Sequence, residues 1–270
     1  MSTHARARRY TNRTAFLLAA AVAVINPLAL MSAWVGAEPS RQETHSTAVG
    51  EIKSIALGTR STARLNTDSV MRVVTTPEAL DIALERGEAL FEAAPDDARQ
   101  LRVTAGSAVV RAQASSFSVR VRDPKHVDVL VREGQVTIDS TSRKSSRKAA
   151  AGDNTVSAQQ IARLTRARMQ LANVSAADVA RNLEWTTGHL SFNGETLAEA
   201  AAEFNRYNDR KLVIADPSIR SLMIGGKFQS SDPDSFIAAL RPMGVRQLES
   251  ETSGPESSFI RLVGLRDRRP

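Results

Sequence analysis

From Arg102 to Ile138 apolar and polar side chains take turns along the chain, and that alternation constrains the fold more than any other feature. The segments Arg102-Val103-Thr104, Ala108–Arg111, Phe117–Val121, His126–Val131 and Gln135–Ile138 all follow it. A period of two, rich in Val, Thr and Phe, puts one face of each strand on a core and the other in water. Gly50, Gly87 and Gly134 each precede such a run and read as glycines of hairpin turns. The reading is a curved all-β domain over residues 48–140.

A different rhythm follows. Residues 141–187 read as a linker and connecting segment, opening with small residues and the basic run Arg143, Lys144, Arg147 and Lys148. Ile161, Leu164, Ala167 and Leu171 have helical spacing, which predicts a helix over 158–171. Ser175 and Asp178 are spaced as a capping box for a short helix running toward Trp185. Residues 188–264 then order themselves β-α-β-β-α-β with one further strand. Leu190–Phe192, Lys211–Ile214, Leu222–Phe228, Val245–Leu248 and Phe259–Val263 read as strands. Thr196 with Glu199 caps the first helix, and Asp232-Pro233 opens the second. This predicts a small split-βαβ α+β domain. The double glycine Gly225-Gly226 suggests a bulge or a close backbone approach.

The other end fixes the expected compartment. No charge interrupts the run from Ala15 to Ala37, long enough as a helix to span a bilayer core of about 30 Å. Arg6, Arg8, Arg9 and Arg13 precede it without an acid, so the basic tail 1–14 stays cytoplasmic and the bulk of the chain is exported. A cleaved signal peptide is the competing reading of 15–37, with Val35-Gly36-Ala37 as the cleavage site. Both readings export residues 38–270.

The net charge of +7 belongs to the tail 1–14, the run at 143–148 and the basic end, including residues 265–270. It describes no folded basic face, so nucleic acid is not an expected partner. Without cysteine, thiolate metal sites and cysteine nucleophiles are excluded. His4, His45, His126 and His189 lack ligand spacing, so no metal is expected. No nucleotide-binding or hydrolase motif is present, so neither catalytic residues nor a cofactor is expected. Asp96-Asp97 reads as a solvated turn, and Ser115-Ser116 as surface hydroxyls.

With these residues on the page, the exported region resembles the FecR family, inner-membrane regulators of cell-surface signalling. Gly50–Asn66, Leu84–Glu92 and Val129–Val136 carry the resemblance, and Ala114–Val119 stands where the family has Gly-Thr-x-Phe-x-Val. Trp185–Phe192, Leu197–Tyr207 and Ile224–Phe228 resemble the family's C-terminal secretin/TonB short N-terminal-like module. The resemblance implies strands, not a helix, after Ala151-Gly152-Asp153. It further implies a single-pass inner-membrane protein, mostly periplasmic, that receives a signal from the signalling domain of a TonB-dependent outer-membrane receptor. The family's cytoplasmic sigma-binding domain has no counterpart in residues 1–14, which puts a sigma-factor partner in doubt. The expected contact is strand addition on Leu222, Ile224, Gly225, Gly226 and Phe228. The alternative is an envelope adaptor binding peptidoglycan or a secretion component.

Overall fold

Thirteen strands build the first part of the protein: β1 (Arg41–Ser46), β2 (Lys53–Ala56), β3 (Thr62–Leu65), β4 (Val70–Thr75), β5 (Ala79–Ala93), β6 (Gln100–Ala105), β7 (Ala108–Ala112), β8 (Ser115–Asp123), β9 (His126–Glu133), β10 (Gln135–Ser140), β11 (Thr155–Ser157), β12 (Gln160–Leu164) and β13 (Met169–Asn173). The computed structural model describes residues 41–140, 154–248 and 259–264, apart from positions 59, 78, 96, 98, 166 and 167. The expected membrane segment 15–37, both basic tails and the run at 143–148 lie outside the described residues. No described helix is long and apolar enough to cross a membrane.

Two sheets share the long strand β5. One runs β1-β4-β5-β6-β7-β10-β11 and the other β2-β3-β5-β8-β9-β12-β13. Up to Arg86, β5 pairs with β4 and β6; from Gly87 on, it pairs with β8 and β3. The alternation seen in the sequence places Ile82, Val103 and Val110 of the first sheet against Phe91, Phe117 and Val129 of the second. These close one apolar core, with Phe91 and Phe117 stacked at 5.4 Å. Gly87 and Gly134 correct the hairpin reading. Gly87 lies inside β5 where the strand changes sheets, and Gly134 joins β9 of the second sheet to β10 of the first. Both have positive φ, +86° and +74°, which a side chain would resist.

The helix expected over 158–171 is replaced by β12 and β13, joined as an antiparallel pair, as the resemblance implied. β12 extends the second sheet from β9, with Ala162 and Leu164 on the sandwich core and Ile161 on the opposite face in a second core. Residues buried on both faces of a strand mimic helical spacing, and ladder pairing decides between them. The β region therefore reaches Asn173, well into the segment read as a linker.

The C-terminal part contains α1 (Ala176–Asn182), β14 (His189–Thr196), α2 (Leu197–Tyr207), β15 (Lys211–Ile214), β16 (Met223–Gln229), α3 (Pro233–Leu240), β17 (Val245–Leu248) and β18 (Phe259–Gly264). The expected capping boxes form at Ser175/Asp178 and Thr196/Glu199, and Asp232 caps α3 with Pro233 in its first turn. The strands divide into two small sheets, an antiparallel pair β14-β16 and a three-stranded sheet β15-β18-β17. The bulge lies at Asn193–Glu195 on β14, not at Gly225-Gly226. Phe192, Phe204, Phe228 and Phe236 fill the module, with Phe204 and Phe236 stacked at 4.4 Å. Leu90, Leu130 and Ile161 on the outer face of the second large sheet belong to the same core. The module is thus mounted on the β region by apolar contact.

Candidate functional site

Two features stand out: a charged seam where the C-terminal module meets the β region, and the open edge of β16.

The seam is built on α2. Glu88 on β5 is buried, with 7% of its side chain exposed, and takes a hydrogen bond from Arg206 of α2 at 3.0 Å. Asn66 donates to the same carboxylate at 3.0 Å and to the Tyr207 hydroxyl at 2.8 Å. Arg206 also pairs with Glu203 one helical turn away, and Arg120 on β8 reaches Glu203 at 2.8 Å. Thr67 donates to the Arg206 carbonyl at 2.9 Å. Burial opposes charge on Arg206, but Glu88 and Glu203 more than offset it and hold its pKa above the ordinary value. Burial pushes Glu203 up, yet Arg206 and Arg120 outweigh that and leave its pKa below the usual carboxylate range. The Tyr207 hydroxyl is raised, chiefly by burial. A cleft of about 450 Å³ runs beside the seam, lined by Arg122, Asp128, Arg163, Arg181 and Trp185 among others.

A pH prediction follows from Glu203. A depressed folded pKa stabilises the fold above the unfolded value of about 4.3 and loses that contribution as pH falls through the folded value. Urea midpoints compared at pH 6 and in steps below pH 4.3 should fall more steeply for the wild type than for Glu203→Gln. Asp97, whose pKa is lowered chiefly by its hydrogen bond from Arg99, acts in the same direction in both proteins and cancels. Parallel curves would refute the assignment.

The β16 edge has firm supports at both ends. Leu197 at the start of α2 donates its N–H to the Leu222 carbonyl at 2.7 Å, and the Ser230 N–H bonds the Gly188 carbonyl at 2.9 Å. β14 covers one side of β16, and no described strand covers the other. Of the residues expected here, Ile224 is buried at 2% exposure, and Leu222 and Phe228 pack partly against the same core. Gly225 and Gly226 are exposed, and a Cβ at Gly225 would meet nothing within 4 Å. Lys227 on the same strand pairs with Glu184 at 2.6 Å. Four of these five residues thus lie on β16, with Leu222 immediately before it, and the side chains of Leu222, Ile224 and Phe228 serve the core.

Other expected sites resolve differently. Ser115 and Ser116 are buried at 5% exposure, not surface hydroxyls, because β8 lies inside the sandwich. Asp97 is no solvated turn residue: it is ion-paired to Arg99 at 2.8 Å and accepts a hydrogen bond from Ser61 at 3.3 Å. Asp96 lies outside the described residues. His45, His126 and His189 stay apart, and no group of metal-ligating residues forms among the described residues. The seam was missed in sequence because Glu88 and Arg206 stand far apart in the chain, and the segments that hold them, Leu84–Glu92 and Leu197–Tyr207, give no sign that the two side chains meet.

Residues 43–137 match the family model described as FecR protein. That stretch of the β region is thus a FecR domain. Two crystal structures of a "putative anti-sigma factor" from Parabacteroides distasonis superpose on it, each with a TM-score of 0.62 and 22% identity. They cover 83% and 82% of this chain and 99% of theirs, so the shared fold extends beyond the FecR domain. No curated protein matches the chain.

Proposed function

We infer that this protein is a signal-relay regulator of FecR type, working by protein contact rather than catalysis. It is anchored in the inner membrane through residues 15–37 and exposes the FecR domain and the C-terminal module to the periplasm. Its input is the signalling domain of a TonB-dependent outer-membrane receptor. The FecR domain and the fold shared with the anti-sigma factor structures support the regulatory role. The observation that carries the contact is the open β16 edge, held at both ends and backed by a phenylalanine core. An added strand gains backbone hydrogen bonds there without any rearrangement of the module.

Hydrogen exchange tests this on the full chain in detergent. Adding a purified receptor signalling domain from the same genome should slow exchange at the amides of Met223–Gln229. Protection elsewhere with none on β16 would remove this edge, and failure of every such domain to bind would remove the relay reading. Ile224→Glu and Ser230→Glu are unsuitable probes. Ile224 belongs to the core, and the buried Ser230 hydroxyl donates to the Gly188 carbonyl at 3.0 Å.

A further inference from the structure

The cleft beside the seam holds donors that no protein group answers. It measures about 450 Å³, a size that suits a small organic ligand. Register sets Arg120 of β8 and Arg163 of β12 on either side of Asp128 on β9. Arg120 turns both terminal nitrogens to Glu203, at 2.8 and 3.4 Å. Arg122 gives Asp128 only its Nε, at 2.6 Å, and its terminal nitrogens bond nothing among the described residues. Arg163 is exposed and makes no hydrogen bond or ion pair among them either. Trp185, 3% exposed, backs the cleft, and its indole N–H meets no acceptor among the described residues. The carboxylates of the wall are all engaged: Glu88 by Arg206, Asp128 by Arg122, Glu195 by Arg181, Glu199 by Thr196 and Glu203 by Arg120. One rung along the same sheet face Leu130 and Ile161 pair in register, and with Leu190 and Phe192 of β14 they supply an apolar wall.

We propose that this cleft binds a small organic acid, its carboxylate on Arg163 and Arg122 and its apolar body against Leu130, Ile161 and Leu190. Guanidinium groups recognise carboxylates through paired N–H donors, and the two with free nitrogens stand around one residue, Asp128. There two cations meet one anion, and an incoming carboxylate neutralises the excess. A cationic ligand would instead find every carboxylate of the wall taken. A bare inorganic anion would leave the apolar wall and most of the volume unused. The lining comes from β8, β9 and β12 on one side and from α1, β14 and α2 on the other, so a bound acid touches both parts and favours their docked arrangement. No residue of β16 lines the cleft, so the site stands independently of the strand-addition reading.

The probe is cyclohexanecarboxylate, titrated into the full chain in neutral detergent. A Trp34→Phe background leaves Trp185 as the one tryptophan. Trp185 emission should change saturably, calorimetry should give the same affinity, and binding should weaken as salt rises. Arg163→Gln should bind at least tenfold more weakly with an unchanged thermal melt, because Arg163 holds no other described group. Arg163→Lys should recover part of the loss. Cyclohexanecarboxamide, of the same shape without the charge, should not bind. Equal binding of the amide, unchanged affinity in Arg163→Gln, or no saturable signal by either method would overturn the proposal. Two competitors separate the sources of the anion. Sodium sulfate competing as well as the acid at matched ionic strength would reduce the site to a bare anion hole. Acetyl-glycyl-leucine binding at least tenfold more tightly than the acid would reassign it to a peptide C-terminus. Either result would overturn the small-acid assignment.

Discussion

Arg206→Ala should lower the unfolding free energy by about 3–5 kcal/mol, the range for breaking a buried ion pair from one side. Only 20% of the Arg206 side chain is exposed, against 7% for Glu88 and 23% for Glu203. Removing the guanidinium leaves two carboxylates in the seam. Glu203 keeps Arg120, but Glu88 retains only neutral donors, Asn66 and Ser118. Urea denaturation at neutral pH measures the loss. A combined Arg206→Met, Glu88→Gln, Glu203→Gln variant should recover much of it, because no unpaired buried charge remains. A single-variant loss below about 1 kcal/mol, the range of exposed pairs, would mean that the seam is solvated.

The same seam gives the proposed relay a physical path. Glu88 lies on β5, the strand both large sheets share, one residue beyond the glycine where β5 changes sheets. Arg206 and Tyr207 end α2, whose first residue bonds the carbonyl that leads into β16. A partner that shifts β16 therefore pulls on a helix whose other end is held by buried charges of the FecR domain.

What the sequence disclosed follows from the range of the interactions involved. Caps are local: Thr196 and Glu199 bond each other's backbone across three residues, so their spacing was enough to place α2. Strand alternation is also local and located β6 to β10. The helix drawn over 158–171 failed because Ile161 and Leu164 face two different cores, a fact settled by β9 and the C-terminal module. Strand order in the C-terminal module was legible, but its division into two sheets was not, since pairing of β15 with β18 joins segments far apart in the chain. Glu88 looked like any polar strand residue. Its partner Arg206 looked like any solvated helix residue.

Gly87→Ala should cost about 3 kcal/mol or more, and the reason lies in the corner itself. At φ +86°, an L side chain carries backbone strain of about 1–3 kcal/mol. The new Cβ would also sit 2.1 Å from Ser69 Oγ and 2.6 Å from Ser69 Cα. Overpacking of this kind adds about 1–3 kcal/mol. Ser69 cannot swing aside freely, because its hydroxyl accepts the Glu88 N–H at 3.0 Å and donates to the Thr67 carbonyl at 3.1 Å. Gly225→Ala is the matched control: its Cβ enters open space and its stability should stay within about 0.5 kcal/mol of the wild type. Adding Ser69→Gly to Gly87→Ala should restore only part of the loss, since the Cα overlap and the positive φ both persist. Full rescue would mean that the clash is confined to the Ser69 side chain, and a Gly87→Ala protein melting with the wild type would mean that β5 does not turn between sheets at this residue.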